Sequence, residues 1–244
     1  MRRLADLTTD EVRALLARPP TAVLVPVGSV EPHGPHLPLG TDTLLSETAA
    51  ARACDALGAR GVEAVVAPTV PYGVTEFAEG FAGAVSVPAD VLTAVLRAIA
   101  QALLADGWTH ACFVNNHLEP AHDAAVRAAA AGLRASVASP LTRRWGRTLT
   151  DEYRRGDCHA GRYETSLVLA AGGRVLDVHR ALPAVGVSLA DGIRAGKDRF
   201  RAMGMARAYT GAPAEATPEE GEATYARLVE MVVAEVVEGI ARGG

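Results

Sequence analysis

The chain has 244 residues, 49% of them hydrophobic and 21% charged, with a formal net charge of -4. That length and apolar content suit one α/β domain spanning 1–244 and exclude wholesale disorder. The lack of a basic surplus argues against a nucleic-acid footprint, and three cysteines without framework spacing argue against a secreted disulfide fold.

Met1-Arg2-Arg3-Leu4-Ala5-Asp6 lacks the apolar segment of a signal peptide, and no apolar run reaches the roughly 18 residues of a membrane span. The cytoplasm is therefore the expected location, with no membrane partner. Thr8-Thr9-Asp10 caps a predicted helix over 9–18, which Pro19-Pro20 stops. An aliphatic strand over 22–27 follows, then a helix from Thr43 to Leu57 with Asp42 or Thr43 as its cap. Val62 to Val66 reads as a second buried strand, Pro71 to Gly83 as a loop, and Val85-Ser86-Val87 as a short strand. A helix from Pro88 to Leu104 carries Pro in its first turn. A third strand over 109–114 and a helix over 121–131 come next. Residues 139–158 form a polar connection longer than ordinary loops, a hint of a lid or an oligomer contact. A helix ends at Ala171, and weak strand signals lie at 174–178 and 184–189. The last helix, Glu219 to Arg242, has an apolar stripe suited to core or subunit contact. Continuous apolar runs separated by helices predict a three-layer α/β sandwich with a mostly parallel central sheet flanked by helices.

The chemistry gathers where two strands end. The first empties into a loop holding Glu31, His33, His36 and Asp42; the third runs into Asn115-Asn116-His117-Leu118-Glu119. Sites in open parallel sheets form at the carboxyl ends of strands, so both clusters are expected on one rim. Glu31, His33, Asp42, His117 and Glu119 exceed what one four-coordinate ion with an open position needs. They suit two divalent ions sharing a bridging carboxylate, and oxygen with imidazole nitrogen admits Zn, Mn or Fe.

Val27-Gly28-Ser29-Val30-Glu31-Pro32-His33-Gly34-Pro35-His36, with Asp42 and with His159-Ala160-Gly161 before Glu164-Thr165-Ser166, resembles the creatininase (creatinine amidohydrolase) family. Tyr209-Thr210-Gly211-Ala212-Pro213 resembles its C-terminal stretch. The resemblance implies a metal-dependent hydrolase of unusual C–N amide bonds with two ions per chain. It implies that Glu31 and His117 hold one ion, His33 and Glu119 the other, and that Asp42 bridges them. Glu119 then ranks ahead of Glu164, which becomes a second ligand or an outer partner. His159 resembles the catalytic histidine, giving a proton to the departing nitrogen, and Glu119 is a second catalytic candidate. A symmetric homo-oligomer, a hexamer, and a small-molecule substrate are implied as well.

Thr75, Trp145 and Asp157 are candidates for substrate contact, with Asp157 also placed to orient His159; His36 and Asn116 are candidate supports of the ligands. His110 and His122 read as structural or exposed, and His179 has no evident partner. A nucleophilic role for Cys158 lacks an activating signature. The family's tryptophans before the catalytic histidine are replaced here by Arg154-Arg155-Gly156-Asp157, which points away from creatinine and toward an anionic group. Within the family, a peptidase of a redox-cofactor precursor and a formamide deformylase are the alternatives. A metal-binding scaffold without turnover is the alternative of another class.

Overall fold

The computed structural model describes residues 2–243. Its four strands are β1 (Thr21–Val27), β2 (Glu63–Val66), β3 (His110–Asn115) and β4 (Ala135–Ala138). They form one parallel sheet in the order β2-β1-β3-β4. The helices in chain order are α1 (Thr9–Leu16), α2 (Thr41–Gly58), α3 (Ala89–Asp106), α4 (Pro120–Ala130) and α5 (Arg143–Gly146). Then come α6 (Asp151–Arg155), α7 (Arg162–Ala170), α8 (Leu189–Arg194), α9 (Phe200–Met203) and α10 (Pro218–Gly243).

β1 and β3 are buried along their whole length, as central strands covered on both faces must be. Their side chains alternate between two cores. Ala22 and Leu24 face the core formed with α2, α7 and α10, while Val23, Val25 and Val27 face the one formed with α3 and α4. These are the three expected layers. Local chemistry sets the helix ends: Thr8 and Glu11 form a reciprocal capping box at α1, and Gly107 closes α3 in the left-handed region.

The chain leaves β1 toward α2 on one face and leaves β3 toward α4 on the other. The carboxyl ends of β1 and β3 therefore flank a topological switch point, where sites form in open α/β sheets.

Several expectations need correction. β4 was not foreseen: Ala-Ser-Val-Ala is four residues long and weak in β-branched side chains, and its pairing with β3 makes it a strand. The signals at 85–87 give only isolated bridges, Val85 to Val30 and Ser86 to Gly73. Those at 174–178 and 184–189 give no strand: residues 177–181 are a 3-10 turn, Val185 makes one bridge with Gly211, and Leu189 opens α8. The 139–158 connection contains the short helices α5 and α6. Asp42 is not a cap, because α2 starts at Thr41 after Gly40, which puts Asp42 within the first turn.

His110, at the end of β3 away from the switch point, is buried. Its Nε2 lies 2.8 Å from Ser136 Oγ, and a Cβ at Gly239 of α10 would collide with its ring. Burial, then Arg242 and Arg134, push its pKa down to about 4. The folded state thus holds this proton less well than the unfolded chain, whose histidine titrates near 6.5. The stability it contributes is present above that pH and is lost as pH falls toward 4. His110→Gln is expected to remove about 3 kcal/mol of the loss in unfolding free energy between pH 7 and pH 4, read from urea curves. Equal slopes for the two proteins would refute this.

Candidate metal centre

The loop after β1 is pressed onto α2. A Cβ on Gly28 would fall 2.7 Å from the Thr43 backbone nitrogen, so only glycine permits this approach. The compression brings Glu31 and His33 over the first turn of α2, beside Asp42. The helix N-terminus there favours a carboxylate. From β3, Asn115 clamps its own loop: its Oδ1 accepts the His117 N–H at 3.0 Å and its Nδ2 donates to the His117 carbonyl at 3.1 Å. From α7, Glu164 enters in the first turn, and its Oε2 accepts the Ala160 N–H at 2.6 Å. Ala160 holds φ at 49°, costly for a residue with a Cβ.

These segments meet in two buried triads that share Asp42, Glu31-Asp42-His117 and His33-Asp42-Glu164, with a third buried group, Glu31-His33-His159, overlapping both. His117 Nδ1 lies 3.2 Å from Glu31 Oε1 and 3.2 Å from Asp42 Oδ2. His33 Nε2 lies 3.4 Å from Asp42 Oδ1 and 3.5 Å from Glu164 Oε2. Asp42 thus turns one oxygen to each triad. Ligand bonds of about 2.1 Å meeting at a tetrahedral angle place ligand atoms roughly 3.4 Å apart, the spacing seen here.

Tautomers fit as well. His33 Nδ1 lies 3.1 Å from the Glu31 carbonyl and His117 Nε2 lies 2.8 Å from the Val74 carbonyl. A carbonyl only accepts, so each of these nitrogens carries the proton when the ring is neutral. The opposite nitrogen, facing the carboxylates, is left with a lone pair. His33 Nε2 is buried without a hydrogen-bond partner. The donor set therefore fits divalent cations.

Charge gives the same answer. Among the described residues no lysine or arginine pairs with Glu31, Asp42 or Glu164, so protons must balance the carboxylates when no cation does. Burial opposes the imidazolium at His33, yet Asp42, Glu164 and Glu31 overcome it and push its pKa up to about 10. His117 is raised likewise by Glu31 and Asp42 against its burial. Burial opposes ionisation of Asp42, but His33 and His117 hold it well below the usual carboxylate range. At Glu164 burial wins, and the pKa rises to about 8.

Of the two glutamates, Glu164 rather than Glu119 joins His33 and Asp42 in a triad. Glu119 stands outside both triads: its oxygens accept the backbone N–H groups of Glu76 at 3.0 Å and Phe77 at 3.2 Å. It lines the cleft beside the triads, and its burial pushes its pKa up to about 7. Glu164 takes the place beside His33. His159 lies against the cluster, with Nε2 3.0 Å from the Pro32 carbonyl and Nδ1 3.8 Å from Glu31 Oε1. Burial, then the His33 charge, push its pKa down to about 4, so the ring is neutral at pH 7.

Of the substrate-contact candidates, Thr75 sits beside the cluster, and Trp145 and Asp157 lie away from it. Thr75 spends its hydroxyl on Glu31 Oε2. Trp145 donates its indole N–H to Glu235 of α10 at 3.0 Å, away from the cleft. Asp157 faces Arg155 at 3.4 Å and does not orient His159, whose ring nitrogens face Pro32 and Glu31. His36 meets Thr165 Oγ1 at 2.9 Å, tying the loop to α7 next to Glu164. The Asn116 backbone N–H and Nδ2 both reach Ser46 Oγ, at 3.1 and 3.3 Å, one turn after Asp42.

His122 and His179 are buried. His122 Nδ1 accepts the Val74 N–H at 3.2 Å with its ring edge-on to His117, and His179 Nδ1 lies 2.9 Å from the Leu176 carbonyl. Burial raises the Cys158 thiol well above its usual range, which argues against a nucleophile.

Sequence reasoning missed three contributors. Ser29 donates to Asp42 Oδ2 at 2.8 Å, and Val74 supplies the carbonyl behind His117. Glu152 accepts the N–H groups of Tyr163 at 2.6 Å and Ala212 at 2.7 Å, anchoring the start of α7. A backbone carbonyl leaves no trace in a sequence; Ser29, inside the first motif, was open to being noticed.

Fold and cluster together define an α/β protein with a candidate metal centre at the switch point of its sheet. The family model described as Creatininase: Creatinine amidohydrolase matches residues 5–236, and the chain belongs to that family. It is 35% identical over 231 residues to the mycofactocin precursor peptide peptidase of Mycolicibacterium smegmatis (strain ATCC 700084 / mc(2)155). That match covers 92% of this chain and 87% of the relative. A mutant creatininase of known structure superposes with a TM-score of 0.74 at 22% identity, over 96% of this chain and 97% of that one. A manganese creatininase superposes at 0.72 and 22%, with the same coverage. At that identity these two likenesses speak for the fold.

Proposed function

We propose that the chain is a dinuclear amidohydrolase whose substrate is an amide bond in a precursor peptide. The observation that carries the dinuclear part is Asp42, whose two oxygens face two separate imidazole–carboxylate pairs. Glu31, His117 and Asp42 would hold one divalent ion; His33, Glu164 and Asp42 would hold the other. The peptide part rests on the likeness to the M. smegmatis peptidase, which runs through nearly the whole chain. It takes precedence over a small cyclic amide, because the tryptophans expected before His159 are replaced by Arg154-Arg155-Gly156-Asp157.

Bound divalent ions supply Lewis acidity to the attacking water and the amide oxygen. The residues of the chain supply the rest. Breaking C–N requires a proton on the departing nitrogen. His159 holds its Nε2 proton on the Pro32 carbonyl, which leaves the Nδ1 lone pair turned toward the cluster. That nitrogen takes a proton from the attacking water and returns it to the leaving amine. Glu119 lines the same cleft and is the second carrier. Phe77, Phe200, Leu189 and Ile193 line the cleft with apolar surface. The hexamer implied by the family resemblance belongs to the same reading.

The test is His159→Ala in metal-reconstituted protein, assayed on precursor-type peptides, lactams and formamides. Loss of roughly a hundredfold in kcat with metal content unchanged is expected. A scaffold would give no turnover in either protein, and unchanged kcat in the variant would remove His159 from the mechanism.

A further inference from the structure

Beside the catalytic cleft runs a second, larger hollow of about 440 Å³. Leu118, Leu189 and Ile193 line both, so the two adjoin. Its floor is apolar. Leu141 and Tyr153 add to it, and Leu141 and Ile193 are among the few large hydrophobic side chains left substantially exposed, at 40% and 37%. An apolar surface kept open next to a reaction centre is suited to substrate rather than to core.

The rim is cationic. Arg143 opens α5 and Arg147 is the residue that caps its end, one helical turn on, so the two share a face and both line the groove. Both are exposed, and neither guanidinium group has a hydrogen-bond or ion-pair partner among the described residues. Arg154 also lines the groove, but Asp151 engages it. Two unengaged guanidinium groups above an apolar floor complement an anion carried on an apolar chain.

We infer that this groove is a specificity subsite that takes a short apolar tail on the leaving-amine side of the scissile amide. Arg143 and Arg147 hold the free C-terminal carboxylate of that tail. The assignment rests on the precursor-peptide reading: the anionic end of a peptide is its C-terminus, and the C-terminus lies on the leaving-amine side of any bond cleaved. It adds the polarity of binding and the residues that select for it.

The test needs no turnover. The dipeptide Leu-Phe, as free acid and as C-terminal amide, is titrated calorimetrically into full-length, metal-reconstituted protein. The acid is expected to bind about tenfold tighter than the amide, the worth of one charge-assisted hydrogen-bonded contact. In Arg143→Ala/Arg147→Ala, whose altered side chains are exposed and carry no hydrogen bond or ion pair, the acid falls to the affinity of the amide and the amide is unchanged. Ala190→Trp, which fills the groove, is expected to weaken both.

Equal affinities in the unaltered protein overturn the subsite. So does a gap that survives in the double variant, because the carboxylate would then sit on the metal ions. A double variant that changes oligomeric state by light scattering, with no gap in the parent, assigns the groove to a second copy and also overturns it. Peptide cleavage without the gap sinks the subsite alone, and the gap without peptide cleavage sinks the peptidase reading alone.

Discussion

Asp42→Asn is expected to leave the chain folded while abolishing turnover and stable metal binding together. The variant keeps the size of the side chain and a hydrogen-bond acceptor for Ser29. It removes the charge that faces His117 Nδ1 at 3.2 Å and His33 Nε2 at 3.4 Å, and its NH2 group offers a donor where a ligand must offer a lone pair. Since one carboxylate serves both triads, both ions go at once. A fall in kcat/KM of roughly a thousandfold or more is expected, with bound metal dropping from about two ions per chain to below one. Metal analysis of the dialysed proteins beside kinetics reads both. A variant retaining both ions would show that Asp42 is not the bridge.

Glu164→Gln and Glu119→Gln are expected to part company. Glu164 Oε2 lies 3.5 Å from His33 Nε2, so its amide variant loses the ion on the His33 side and at least a thousandfold in rate. Glu119 binds the Glu76 and Phe77 N–H groups instead. Its variant keeps both ions and is slowed through proton transfer and a loosened cleft wall. Metal stoichiometry separates the two cases. Loss of an ion from Glu119→Gln, with none lost from Glu164→Gln, would restore the order that the sequence suggested.

That order shows where sequence reasoning reached its limit. The aliphatic runs of β1 and β3 and the polar residues at their ends were legible, because parallel strands bury both faces and put chemistry at their carboxyl ends. That rule put Glu31, His33, Asp42 and His117 on one rim, and the structure brings them together. Glu119 was favoured over Glu164 because it lies two residues from His117. In the fold it ends an extended stretch at the N-cap of α4, where two backbone N–H groups of the 71–83 loop need an acceptor. No feature of the sequence announces that demand.

Glu164 reaches the cluster from the first turn of α7, whose start Glu152 pins by accepting the Tyr163 N–H. The cleft wall was hidden for another reason. Residues 184–189 are a short apolar run without resolvable period, and Ser188, which accepts the Asp191 N–H, turns the following residues into α8. Trp145 was misplaced because an aromatic in a long loop suits a substrate pocket and a helix–helix seam equally well; Glu235 decides for the seam.

The most direct test is anomalous diffraction at the manganese edge from crystals grown with Mn2+. Two peaks about 3.5–4 Å apart are expected, one within ligand distance of Glu31, His117 and Asp42 and the other within ligand distance of His33, Asp42 and Glu164. A single peak, or a pair in which Glu119 takes the place of Glu164 and Asp42 touches only one ion, would contradict the bridged centre.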